Sequence, residues 1–173
     1  MMRLMGLSGW SGAGKTTLIA ALVPALRRRG LTVSTIKHAH HAFDVDKPGK
    51  DSYIHRESGA QEVLVASAHR FALMHELRGA PEPSLGELLK RLTPVDLVIV
   101  EGFKRDPHPK IEVHRTATDK DYIYPADPYI RAIATDAPGP FPMQRFDLGD
   151  IEGIADWVIR EAVPIEPGGV FAL

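Results

Sequence analysis

Lys15 and Thr16 close an octapeptide, Gly9-Trp10-Ser11-Gly12-Ala13-Gly14-Lys15-Thr16, that reads G-x-x-x-x-G-K-[ST]. Three glycines, a lysine and a hydroxyl at this spacing suit the holding of a polyphosphate. The backbone N–H groups of the glycine-rich turn converge on an anion, and the free N–H groups of a following helix add to them. The lysine can then reach the β- and γ-phosphates, while the threonine hydroxyl ligates Mg²⁺. We therefore expect Gly9 to Thr17 to bind a nucleotide. The motif leaves open which nucleotide it is and what becomes of it.

A second piece of the same chemistry is Val95-Asp96-Leu97-Val98-Ile99-Val100-Glu101-Gly102. Its apolar run predicts a strand buried on both faces whose carboxyl end delivers Glu101. That is the layout of a Walker B strand, with glutamate where aspartate is usual. Such a carboxylate holds Mg²⁺ or polarises an attacking water. Asp96 falls at the far end of the strand and reads as a solvated boundary residue.

The third piece is the loop Lys37-His38-Ala39-His40-His41-Ala42-Phe43-Asp44-Val45-Asp46-Lys47-Pro48-Gly49-Lys50-Asp51-Ser52. Asp44 and Asp46 lie on one side if the segment is extended, which suits a shared metal or a metal-and-lysine network. Mg²⁺ takes one or two carboxylates besides phosphate oxygens and waters, so Asp44, Asp46, Asp51 and Glu101 cannot all be direct ligands. The expected metal set is Thr16 and Glu101, with Asp44 next. The expected catalytic set is Lys15, Glu101 and Asp44. Asp51 could equally cap the following helix. His38, His40 and His41 invite a transition-metal reading, but His40 and His41 are neighbours that diverge, no i, i+4 pair exists, and no thiolate is available. Their spacing favours hydrogen bonding near phosphates or to a second ligand. Lys37, His38, His40, His41, Asp46, Lys50, Asp51 and Lys104 thus form a candidate second-ligand or partner-binding set.

Elements must position these groups. Arg3 to Ser8 predicts a strand before the glycine loop, and Thr17 to Arg29 a helix with Leu18, Leu22 and Leu26 on one face. Pro24 should kink that helix, and Gly30 stops it. Leu31 to Lys37 predicts a second strand parallel to the first, because a helix joins them. The loop it feeds should emerge beside the glycine loop, at the carboxyl ends of the strands. Asp51 begins a short helix ending near Gly59. Gln61 to Ser67 and Arg70 to Glu76 predict an antiparallel hairpin with Leu73 and Met74 in the core. Ser84 can cap a helix to about Leu92. Lys110 to Arg115 alternates like a strand, Thr116 to Pro128 is turn-rich, and Tyr129 to Asp136 predicts another strand. Asp150 to Ala162 reads as a last amphipathic helix. The expected architecture is α/β of the P-loop NTPase type: a mostly parallel sheet flanked by helices, with an added antiparallel hairpin. One domain over 1–163 and a loose tail over 164–173 complete it.

The chain has 173 residues, a formal net charge of −1 and no cysteine. Near-neutral charge implies no generic nucleic-acid or anionic-membrane partner. The lack of cysteine excludes disulfides and thiolate sites. No apolar run spans a bilayer, which needs about 20 residues, and no cleavage-site pattern follows the first strand, so a cytoplasmic location is expected. Trp10, among glycines and Ser11, reads as a lid over the nucleotide or a contact to a neighbour. The guanine-reading N-K-x-D segment is missing. Asp136 could accept from a guanine base through one carboxylate, or simply start the turn Ala137-Pro138-Gly139.

In these residues the chain resembles the molybdopterin-guanine dinucleotide biosynthesis adapter family, known as MobB. The resemblance runs to about Val163. It rests on Gly9–Thr17, on Lys37-His38 and His41 to Ser52, on Arg56-Glu57-Ser58-Gly59-Ala60, and on Val100-Glu101-Gly102-Phe103-Lys104. It implies a homodimeric, Mg²⁺-dependent GTP-binding protein with weak GTPase activity. Such a protein assists the guanylyltransferase that joins GMP to molybdopterin. The choice of GTP over ATP comes from the resemblance, not from the residues. Some relatives in the wider P-loop group carry a signature lysine where this chain has Trp10, so activation in trans by that lysine is not implied. The competing reading is an ATP-dependent small-molecule kinase or ligase of the dethiobiotin synthetase type, with Lys37, Lys50 and the histidines on an acidic substrate.

Overall fold

In a computed structural model, residues 1–39 and 43–166 are described. They form two compact units, Met1–His38 with the chain from Leu85 onward, and Ala39–Ser84.

The larger unit is built on a sheet of seven strands: β1 (Arg3–Ser8), β2 (Val33–Lys37), β5 (Leu97–Glu101), β6 (Lys110–His114), β7 (Ile130–Thr135), β8 (Gln144–Phe146) and β9 (Val163–Pro164). The order is β2-β5-β1-β6-β7-β8, all parallel, with β9 antiparallel on the start of β1. β1 and β2 are parallel, as expected, but β5 lies between them. Alternation along the strands separates two cores. Met5, Leu7, Leu97 and Ile99 pack with α1 (Lys15–Arg28) and α4 (Ile151–Glu161) on one face. Leu4, Val98 and Val100 pack with Leu85 and Leu89 of α3 (Leu85–Leu89) on the other. Arg28 and Arg29 tie α1 to Glu152 and Asp156 of α4. Such exposed pairs contribute little, so the apolar contact carries the helix pair. Asp150 caps α4 by accepting from the Gly153 N–H at 3.0 Å.

Several expectations need correction. α3 ends at Leu89, three residues early, and continues only as turns. Asp96 is more than a solvated boundary, since its Oδ2 accepts from both the N–H and the hydroxyl of Thr32, at 2.8 and 2.6 Å, and clasps the starts of β2 and β5. The segment expected to be loose from Pro164 begins as a strand, and the Ile165 N–H donates to the Met2 carbonyl with the side chain buried. Residues 167–173 lie outside the described residues. The alternating pattern of β6 does not mean one solvated face, because all five residues are buried.

The smaller unit contains α2 (Asp51–Glu57) and the hairpin β3 (Glu62–Ala66) and β4 (Phe71–His75). Only Val63 of the hairpin is buried; Leu64, Phe71 and Leu73 are exposed. Leu73 was expected in the core and is 47% exposed, while Met74, paired with Val63, is half-buried. Period-2 alternation specifies two faces but does not say that both are covered.

A buried ion pair, not legible in the sequence, braces the larger unit. Lys110 is fully buried, and its Nζ donates to Asp127 Oδ2 at 3.0 Å and to the carbonyls of Asp106 and Lys104 at 2.8 and 3.3 Å. The ammonium thereby pins the loop between β5 and β6. Removing one partner of such a pair leaves a charge buried without compensation, at a cost of about 3–5 kcal/mol. Asp127→Ala should lower unfolding free energy by about that amount in urea titrations. A loss below about 1 kcal/mol would show that the pair is not the brace described.

Candidate functional site

β1 has a parallel neighbour on each side and ends at Ser8, where its chain turns out of the sheet. The turn is possible only with glycine. Gly9 has φ 148°, and a Cβ there would lie 2.5 Å from the Val113 carbonyl oxygen. Gly12 and Gly14 also take positive φ, 81° and 100°. The Ala13 N–H donates to the Trp10 carbonyl, and Gly14 leads into α1 with no side-chain cap. The N–H groups of the first helical turn are therefore left for an anion, with the positive end of the helix dipole behind them. Ser11, Thr16 and Thr17 are exposed, and Ala13 is buried beneath the loop.

Three lysines gather here around one carboxylate. Lys15 Nζ donates to the carbonyls of Gly9 and Trp10, both at 2.9 Å, bridging the loop. Burial lowers its pKa; Glu101 opposes that shift, and Lys104 and Lys37 add to it. Glu101 ends β5 beside Leu7 and Lys37 in register, is nearly buried, and has Oε1 3.8 Å from Lys37 Nζ. Lys104 Nζ lies 4.5 Å from the Trp10 ring centroid. The Trp10 indole N–H donates to the Asp121 carbonyl at 2.8 Å, and the ring is 40% exposed. A hydroxyl (Thr16) and a carboxylate (Glu101) are the oxygen donors a hard divalent cation takes, alongside phosphate oxygens and water.

The second loop starts at this site and then leaves the larger unit. The His38 N–H donates to the Glu101 carbonyl at 2.8 Å, and its ring lies 5.0 Å from that of Phe103. Gly102 is required there, since a Cβ would meet that of His38 at 2.6 Å. His40 and His41 lie outside the described residues. Asp44, Asp46, Lys50 and Asp51 belong to the smaller unit. There Asp44 Oδ1 and Asp46 Oδ1 both accept from Arg56 Nη2 at 3.1 Å. Their spacing suggested a shared metal or a metal-and-lysine network; the cation the two carboxylates share here is the Arg56 guanidinium. The hydrogen bond that Arg56 donates to Asp46 does most to raise the Arg56 pKa, and the negative charges of Asp46 and Asp44 add to it. Lys50 precedes α2 as its N-cap and Asp51 is its first residue. Among the described residues no group of three His, Asp or Glu could hold a metal by itself.

Asp136 follows β7, exposed, with Oδ1 accepting from the Thr116 N–H at 2.8 Å; that bond is the first cause of its lowered pKa. Sequence reasoning missed Arg115, whose guanidinium lies across Gly14: a Cβ on Gly14 would sit 3.0 Å from Arg115 Nε. The available signal was its place directly after β6, where the carboxyl end of a parallel strand delivers side chains to a site. Glu112 was missed too; buried at the next level down, it accepts from the N–H groups of Ile123 and Tyr124 at 2.8 and 2.9 Å.

A parallel sheet whose central strand feeds a Gly-rich loop and a helix closed by Lys-Thr defines a fold of the P-loop NTPase type. Residues 4–136 match the family model of molybdopterin guanine dinucleotide synthesis protein B, MobB, and the chain belongs to this family. Over 163 residues it is 43% identical to the molybdopterin-guanine dinucleotide biosynthesis adapter protein of Escherichia coli (strain K12), covering 92% of this chain and 93% of that one. The protein of the same name from Haemophilus influenzae is 43% identical over 158 residues, covering 90% and 86%. A crystal structure of molybdopterin-guanine biosynthesis protein B superposes with a TM-score of 0.73 at 27% identity, covering 91% of this chain and 98% of that one.

The loop geometry makes a stability prediction. Gly9→Ala meets both a disfavoured φ and a backbone oxygen, whereas Gly30→Ala meets a positive φ (82°) with nothing within 4 Å. Backbone strain of this kind costs about 1–3 kcal/mol, so Gly30→Ala should stay in that range. Gly9→Ala should exceed it in thermal or urea unfolding. Equal losses would show that contact with Val113 does not constrain the loop.

Proposed function

We propose that this chain is a Mg²⁺-dependent, GTP-binding adapter that assists the guanylyltransferase step of molybdopterin-guanine dinucleotide synthesis, with a slow GTPase activity. One observation carries the nucleotide reading: Lys15 bridges two loop carbonyls at a glycine-built helix entry, with Glu101, Lys37 and Lys104 around it. In this reading the loop N–H groups and the first turn of α1 bind the phosphates. Lys15 exchanges its carbonyl partners for phosphate oxygens. Those oxygens are charged and form the stronger hydrogen bonds. Thr16 and Glu101 hold Mg²⁺, which supplies charge neutralisation across the β- and γ-phosphates. Asp44, expected as the next ligand, is paired with Arg56. Glu101 or Asp44 would orient the attacking water, and Lys104, above Trp10, would add a further cation near the phosphates.

Family membership supports the pathway, and the adapter names of the two relatives support the accessory role. The segment from Lys37 and His38 through His40, His41, Asp46, Lys50 and Asp51 is proposed to face the second ligand, molybdopterin, or the partner enzyme. A homodimer is proposed as well. The exposed Leu64, Phe71 and Leu73 of the hairpin supply apolar surface of the kind that association covers. Cytoplasmic location fits the lack, among the described residues, of any helix able to cross a membrane.

Calorimetry with GTP and ATP in the presence of Mg²⁺ tests this reading. GTP should bind more tightly, and Lys15→Ala should weaken it by about 10- to 100-fold, the worth of one charge-assisted hydrogen bond. Equal or tighter ATP binding would overturn the GTP assignment. ATP hydrolysis driven by an added small carboxylic acid, without a partner protein, would move the assignment to the kinase or ligase class.

A further inference from the structure

Beside the phosphate loop the larger unit has a cleft of about 220 Å³. One wall is the start of α1, with Gly14, Thr17 and Leu18; the other is Leu148 and Gly149, leading to Ile151; Arg115 closes it. The volume falls below the about 300–1,000 Å³ of pockets for drug-sized ligands, so the cleft can take part of a nucleotide such as its base, not the whole of it. Leu18, Leu148 and Ile151 give it apolar sides. Gly149 leaves its side open, since a Cβ there would meet nothing within 4 Å. Gly14 belongs both to the cleft and to the phosphate loop. A nucleotide with its phosphates in the loop therefore has this cleft next to it for the base.

Arg115 is the only charged side chain on the cleft wall among the described residues. Its guanidinium crosses Gly14, with Nε and Nη2 at 3.0 and 3.4 Å from the position a Cβ would take there. Among the described residues, no hydrogen bond or ion pair engages its guanidinium. The segment that carries it is nonetheless fixed: Asp136 accepts from the N–H of Thr116, and the Arg115 carbonyl accepts from the N–H and hydroxyl of Thr118 at 3.1 and 2.8 Å. Asp136 is not on the cleft wall.

A guanidinium offers only donors, in a rigid fork. Guanine presents two adjacent acceptors, O6 and N7, that match this fork. Adenine presents N7 beside an amino donor, which opposes it. We propose that Arg115 is the specificity-determining residue for the purine, reading guanine through O6 and N7 in this cleft, with Asp136 as the positioning residue that holds its segment. The inference rests on the GTP reading above and deepens it.

Competition calorimetry with Mg·GTP, Mg·ATP and Mg·ITP on the full chain and on Arg115→Ala and Arg115→Gln tests it. Inosine keeps O6 and N7 but lacks the 2-amino group, so ITP should bind wild type about as well as GTP. Arg115→Ala should reduce the GTP/ATP affinity ratio by about 5- to 150-fold, the worth of one bidentate base contact, with ATP affinity little changed. Arg115→Gln should move the ratio further towards ATP, because a carboxamide matches adenine N6 and N7. It also keeps the test intact should the alanine variant fail to fold. A wild-type ratio near one overturns the GTP reading and this inference together. A guanine preference that survives both substitutions overturns this inference alone. Equal loss of GTP and ATP affinity assigns Arg115 to the phosphates, and strong rejection of ITP assigns base reading to a carboxylate; either result also overturns it.

Discussion

The constraint on which the site depends is the exit of β1 from the middle of a parallel sheet. Between β5 on one side and β6 on the other, the chain leaves the sheet after Ser8 at Gly9, where a Cβ would lie 2.5 Å from the Val113 carbonyl oxygen. A residue without a side chain solves this, and its positive φ turns the backbone over the strand ends and into α1. The N–H groups that gather there are a consequence of that turn. The buried residues of β1 and β5 hold its base in place, since Met5, Leu7, Leu97 and Ile99 lock the strands against α1 and α4.

Parallel register then decides which charges meet the loop. Leu7, Glu101 and Lys37 are aligned across β1, β5 and β2, so three strand ends deliver a loop, a carboxylate and a cation to one edge. Lys104 is added by the next loop, whose backbone the buried Lys110 holds through the carbonyls of Lys104 and Asp106. Lys15 sits among like charges with its pKa lowered, first by burial and then by Lys104 and Lys37. An anion relieves that crowding. The arrangement is therefore electrostatically poised for a ligand more negative than the single Glu101 carboxylate.

Much of this was legible in the sequence because it is local or periodic. The glycine loop, the apolar run to Glu101, the helix before Gly30 and the hairpin all stand where pattern and turn residues put them. What was not legible depends on partners distant in sequence. Asp44 and Asp46 share Arg56 on α2, and spacing alone cannot tell a guanidinium from a metal. Lys110 pairs with Asp127, and charge composition gives no hint that either is buried. Leu73 alternates like a core residue on a hairpin face that nothing in its unit covers. β8 and β9 have three and two residues, too short to show a period. Arg115 directly follows β6, but that its guanidinium lies across Gly14 shows only in the packing against the loop.

The central proposal is that Thr16 and Glu101 hold a divalent cation only when a nucleoside triphosphate fills the loop. Mn²⁺ electron paramagnetic resonance tests it directly, with and without GTP, on wild type and on Thr16→Val and Glu101→Gln. The account predicts tight Mn²⁺ uptake by wild type that requires GTP and is weakened at least about tenfold by either substitution, one charge-assisted ligand being worth about 1.5–3 kcal/mol. Mn²⁺ uptake that is independent of GTP, or unchanged in Glu101→Gln, would contradict it.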